Sequence, residues 1–149
     1  IHAIEYLKGT PWIEEQIRAV IARNPREIEY VPIEGVSWQQ SLKIITSCDI
    51  IVDQVVSGWY GGISVEAALL GTLPIAYIDQ RLIKYLPIEM QQCLPVVALK
   101  DKGELEYVLS ALMQNREKIL EESLRCRANA LLFHDARVVA KKIIEEYYT

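Results

Sequence analysis

The sequence predicts an α/β domain, an open parallel sheet with helices on both faces, and three observations carry that expectation. Two apolar runs without alternation, Asp49 to Asp53 (DIIVD) and Leu73 to Ile78 (LPIAYI), suit strands buried on both faces. A glycine-rich turn and a short apolar helix, Ile63 to Leu70, join them, which is the kind of crossover parallel strands require. Segments of helical periodicity flank both strands. The length of 149 residues fits one domain, 1–149, with no internal repeat or linker to divide it.

In chain order, a truncated opening strand leads into a loop that ends at Lys8, Gly9 and Thr10. Thr10 before Pro11 reads as a helix cap, and Ile13, Ile17, Val20 and Ile21 recur at helical spacing to about Arg23. Ile28, Tyr30 and Val31 form a short β-rich segment after Pro25. Ser37 with Gln40 makes a capping box ahead of Trp38, Leu42 and Ile45. The helix between the two apolar strands is stopped by Gly71. Pro95 to Leu99 (PVVAL) reads as a last, weak strand, and Asp101 with Glu104 caps a helix carrying Leu105, Val108, Leu109, Leu112 and Met113. Ile119, Leu120, Leu124, Ala128 and Leu131 mark a further amphipathic helix, and Val139, Ala140, Ile143, Ile144 and Tyr147 mark the last. Strands and helices of this length in alternation describe a Rossmann-like half.

Charge and composition exclude several classes of function. Lys and Arg number 16 against 20 Asp and Glu, a formal net charge of −4 without a basic run, so no nucleic-acid footprint is present. The longest uncharged stretches, Gln54 to Val65 and Ala67 to Ile78, are 12 residues each and contain Gly or Pro, too short to span a bilayer. Cys48, Cys93 and Cys126 lack metal-ligand or redox spacing and read as buried, reduced thiols of a cytoplasmic protein. Ile1 in place of Met, with no charged segment before an apolar one, reads as a start inside a longer polypeptide.

Ligands of open parallel sheets sit beyond the carboxyl ends of the strands. In the first such loop, Lys8 beside Gly9 offers an anion a cation and backbone amides, or is simply solvated. The second loop is richer, running from Asp53 through Gly58, Trp59, Tyr60, Gly61 and Gly62 to Glu66. Its three glycines let the backbone approach a ligand and aim N–H groups at one point, a construction suited to a diphosphate. Trp59 and Tyr60 are placed to shape a pocket. Glu66, among Val65, Ala67 and Ala68, either accepts from ligand hydroxyls such as a ribose diol or favours its helix N-terminus while facing water. Trp12 and Trp38 read as packing residues, and His134 with Asp135 as the entry to the last helix, Asp135 its cap. The dinucleotide fingerprint, a Walker motif, a serine elbow and metal-ligand spacings, including D-x-D, are all missing.

The segment CDIIVDQVVSGWYGGISVEAALLGTLPI, with D-Q-x-x-x-G-W-Y-G and V-E-A-A-x-x-G-x-P-I, resembles the donor-binding half of GT-B glycosyltransferases of the large retaining family 4 type. His2 and Ala3 followed by Lys8, Gly9 and Thr10, and the tail with His134 and Asp135, are similar as well, so the resemblance spans nearly the whole chain. It implies a metal-independent, cofactor-free transfer of a sugar from a nucleotide-sugar, with retention, by the full-length protein. Lys8 would contact the donor diphosphate, the amides of the Gly58 to Gly62 loop would hold phosphates and sugar, and Glu66 would bind the donor ribose. The implied partners are the donor and the protein's own N-terminal acceptor domain, absent from this sequence, without which the isolated chain transfers nothing. Peripheral contact of the longer protein with a membrane is compatible with it. Two departures stand out: Gly58 occupies the place of a glutamate that touches the donor sugar, and Ile4, Glu5, Tyr6 and Leu7 lack an arginine, for which Arg81 or Lys84 would substitute. A sugar-nucleotide epimerase or hydrolase, and a non-catalytic Rossmann module that pairs with another subunit, are the competing readings.

Overall fold

A computed structural model describes residues 8–148. The opening strand expected around His2 to Leu7 lies outside the described residues. Helix α1 (Thr10–Arg23) leads to α2 (Trp38–Ser47), β1 (Ile50–Val52), α3 (Gly62–Leu70) and β2 (Leu73–Tyr77). Two single-turn helices follow, α4 (Gln80–Ile83) and α5 (Ile88–Gln91), then β3 (Val97–Leu99), a 3-10 turn (Lys102–Glu104), and helices α6 (Leu105–Gln114), α7 (Arg116–His134) and α8 (Ala136–Tyr147). The strands form a parallel sheet in the order β1-β2-β3, with Ile50 opposite Leu73 and Ile75 opposite Val97.

Side chains alternate across a strand, and the core follows that parity. Ile50, Val52, Leu73, Ile75, Val97 and Leu99 join one cluster with Ile13 and Ile17 of α1 and Leu105 and Leu112 of α6. Ile51 turns the other way, to Ile45 of α2 and Ala67 of α3, while Ala76 and Ala98 pack with Tyr60, Leu94 and Val96. Helices therefore cover both faces, as expected of apolar strands without alternation. Beside the third strand, Arg125 donates to the carbonyls of Leu94 and Val96 at 3.0 and 3.2 Å, and Asn129 donates to Leu94 at 3.1 Å.

Several local signals act as the sequence reads. Ser37 and Gln40 form a reciprocal capping box, Gly71 closes α3 in the left-handed region, and Asp135 caps α8 through the Arg137 amide. Three details differ. Ile28 to Val31 is not a strand: its β-rich composition reports side-chain fit, and Tyr30 is absorbed by packing against the core instead of pairing. Gly9, with φ 82°, is the cap residue of α1, so Thr10 is the first helical residue and caps nothing. Of the three free thiols only Cys126 is buried, and burial pushes it up to about 11, while Cys48 and Cys93 are half-buried. Helix α8 buries none of its residues, so Val139, Ile143 and Ile144 stay exposed. Among the described residues no helix is long and apolar enough to cross a membrane.

Candidate functional site

The site forms where β1 and β2 end. Asp53 directly follows β1, and its side chain is 0% exposed. One oxygen accepts from Lys8 Nζ at 3.0 Å, and the other accepts from the Gly61 N–H and the Ser64 hydroxyl, both at 2.8 Å. Lys8 and the N-terminus of α3, read separately in the sequence, are thus brought to one carboxylate. The backbone reinforces the placement: Val55 N–H donates to the Lys8 carbonyl at 2.9 Å, and Tyr77 N–H donates to Gln54 at 2.8 Å. Asp53 is the site residue that loop reading missed. Its signal is a charged residue closing an apolar strand directly ahead of a glycine-rich turn.

The three glycines have different tasks. Gly58 has φ 75°, its carbonyl accepts from Asp79 N–H at 2.8 Å, and a Cβ there would lie 3.1 Å from the Asp79 Cβ. Gly61 allows close approach, since a Cβ would lie 2.9 Å from Asp53 Oδ2. Gly62 opens α3, and among the described residues its amide and that of Ile63 meet no acceptor, as first-turn amides do when no side chain caps them. These two N–H groups, with the outer surface of Lys8, are what the loop offers an anion.

Of the two aromatic residues of the loop, Trp59 is half-buried and Tyr60 is turned into the core. Tyr60 is 8% exposed, stacks on Trp59 with centroids 4.9 Å apart, and packs with Ala76, Ile78, Leu94 and Val96. Its hydroxyl lies 3.1 Å from Nε2 of His134, whose ring meets it edge-on. Burial raises the Tyr60 phenol above its ordinary value and lowers His134 below 6.5, so both groups favour their neutral forms, and the imidazole tautomer sets which of the two donates. His134 therefore joins the glycine-rich loop to the corner between α7 and α8.

This pairing has a pH signature. A histidine whose folded value is depressed contributes full stability above 6.5 and loses it as pH falls, because the unfolded chain takes up the proton first. The melting temperature of the wild type is expected to drop between pH 7.5 and 5.5 by more than that of His134→Gln, which has no imidazole to titrate. Parallel melting curves for the two proteins would rule out this linkage.

Glu66 lies two residues beyond Ser64, about 200° further round the helix, so it faces α2 and not Asp53. One of its oxygens accepts from Trp38 Nε1 at 2.9 Å. Trp38 is therefore not a packing residue; it is 62% exposed, because as the first residue of α2 it has no core behind it. Arg81 is tied to Asp79 through Nε and Nη2, at 3.0 and 2.6 Å to separate oxygens, which holds the Asp79 carboxyl down at about 2. Lys84 lies over the Tyr85 ring, 4.9 Å from its centroid. Arg81 is thus held in an ion pair, and Lys84 lies against an aromatic ring. Asp135 is likewise held at about 2 by Arg137, in keeping with a cap. Among the described residues no group of three His, Cys, Asp or Glu is placed to hold a metal ion. Comparison with protein-family models, curated proteins and solved structures finds no match to this chain.

Proposed function

We propose that this chain is the Rossmann-like donor-binding half of a sugar-nucleotide-dependent glycosyltransferase, holding the diphosphate between Lys8 and the first turn of α3. The supporting observation is the convergence of the Lys8 ammonium and the Gly61 N–H, at the cap of α3, on the Asp53 carboxylate, which sets Lys8 beside the unpaired first-turn amides of that helix. Free amides at a helix N-terminus with a cation beside them attract an anion. Asp53 does not block this use, because its oxygens face inward onto three donors and its side chain has no exposed surface. A diphosphate then meets the exposed part of Lys8 and the open amides of Gly62 and Ile63.

In such a transfer the bond between the sugar and the diphosphate breaks as the sugar becomes oxocarbenium-like, and negative charge grows on the departing phosphate. Fixed donors aimed at that charge lower the barrier because they need no reorganisation. Catalysis also needs an acceptor wall, so this half is expected to bind donor and transfer nothing unaided.

One observation favours a second reading, a non-catalytic module that pairs with another subunit: Asp53 already neutralises Lys8 and takes the Gly61 amide. Glu66 separates the two. If it holds a ribose diol, Glu66→Gln weakens charge-assisted bonds by about 1–3 kcal/mol, roughly 5- to 150-fold in nucleoside diphosphate affinity, with little change in melting temperature. Calorimetric titration with UDP, ADP and GDP in which the variant matches the wild type would remove the diol assignment; absence of all binding would favour the non-catalytic module.

A further inference from the structure

We propose that Trp38 is the stacking platform for the nucleobase of the bound nucleotide. The inference rests on the reading of Glu66 as the acceptor for a ribose diol and adds what lies beside that diol. Trp38 leaves 62% of its surface in water, although tryptophan is on average a highly buried residue. The ring is nevertheless held. The capping box of Ser37 and Gln40 fixes the first turn of α2, and the indole N–H is pinned at 2.9 Å to Glu66 Oε1. Because the bond is made at the edge of the ring, it leaves the indole faces free for stacking. Among the described residues no other ring and no cation occupies them. The second oxygen of Glu66 meets no donor among those residues, so a diol can bind there while Trp38 keeps its own bond. A base joined by one bond to a ribose held at Glu66 is brought up against this aromatic surface. Every base has a π-face, so a platform of this kind is tolerant of base identity.

The experiment is calorimetric titration of the 149-residue chain with UDP, ADP, GDP and inorganic pyrophosphate, for the wild type, Trp38→Ala and Trp38→Phe, with melting curves to confirm folding. Trp38→Ala is expected to lose roughly 5- to 150-fold in affinity for each nucleotide, the range measured for loss of base stacking, while pyrophosphate affinity stays unchanged. Trp38→Phe keeps a stacking face and is expected to recover most of the loss. Nucleotide binding indifferent to Trp38→Ala, or a loss shared equally by pyrophosphate, would overturn the platform and leave the diphosphate site standing. If Trp38→Ala does not fold, the test passes to emission: quenching by UDP as large in Trp38→Phe as in the wild type contradicts stacking. No binding of any probe by the wild type overturns the donor-site reading, and the platform with it.

Discussion

Replacing Asp53 by alanine is expected to lower unfolding free energy by about 2–4 kcal/mol, because it orphans the Gly61 N–H and the Ser64 hydroxyl together. Those two donors and Lys8 Nζ all lie within 3.0 Å of the carboxylate, and the side chain is fully enclosed. Lys8 adds less than a fully buried partner would, since it is partly exposed and regains water when the carboxylate goes. Asp53→Asn keeps the shape but presents an NH2 group to one of the three donors, so its loss falls between wild type and alanine. Ser64→Ala removes a single donor and is expected to cost about 1 kcal/mol. Urea titration with an unchanged slope reads these values directly. Near-equal midpoints for Asp53→Ala and wild type would show that Asp53 does not organise the loop.

Placing glutamate at position 58, the residue that the proposed glycosyltransferase reading would expect there, is expected to destabilise the protein by about 2–3 kcal/mol and to give no gain in sugar-nucleotide affinity. At φ 75° a side chain meets its own carbonyl, a cost of about 1–2 kcal/mol for a residue other than glycine. The new Cβ also starts 3.1 Å from the Asp79 Cβ, which brings a second carboxylate toward the one paired with Arg81. Gly58→Ala separates the contributions: it carries the backbone strain and the crowding without the charge. A fall in melting temperature for Gly58→Glu with a smaller fall for Gly58→Ala is the expected order. A stable Gly58→Glu protein with tighter donor binding would mean that the loop adopts a different backbone at this position.

How far the sequence reveals this arrangement depends on the range of the interaction. Caps and stops are local, and Ser37, Gly71 and Asp135 act as their spacing indicates because each satisfies amides or carbonyls of its own helix end. The two apolar runs reveal themselves as buried strands for a similar reason, since both faces of each are covered. Ile28 to Val31 looks equally β-like, but a strand needs a paired neighbour, and propensity does not report one. The site was legible as a loop and not as a set of partners. Lys8 meets Asp53 across 45 positions, and Glu66 meets Trp38 across 28. Tyr60 reads as a pocket residue because it sits among glycines, whereas its ring belongs to the core and its hydroxyl to His134, 74 positions away.

The claim that Lys8 and the first turn of α3 form a diphosphate site is tested most directly by calorimetric titration of the wild type and Lys8→Ala with UDP and UMP. On the proposed reading a diphosphate reaches both the ammonium and the amides, so the wild type is expected to prefer UDP, and Lys8→Ala to lose about tenfold in UDP affinity, the lower end for a charge-assisted bond at a partly exposed group. Uridine affinity should stay the same in both proteins. Equal affinity of the wild type for UDP and UMP, unaltered by Lys8→Ala, would contradict the site.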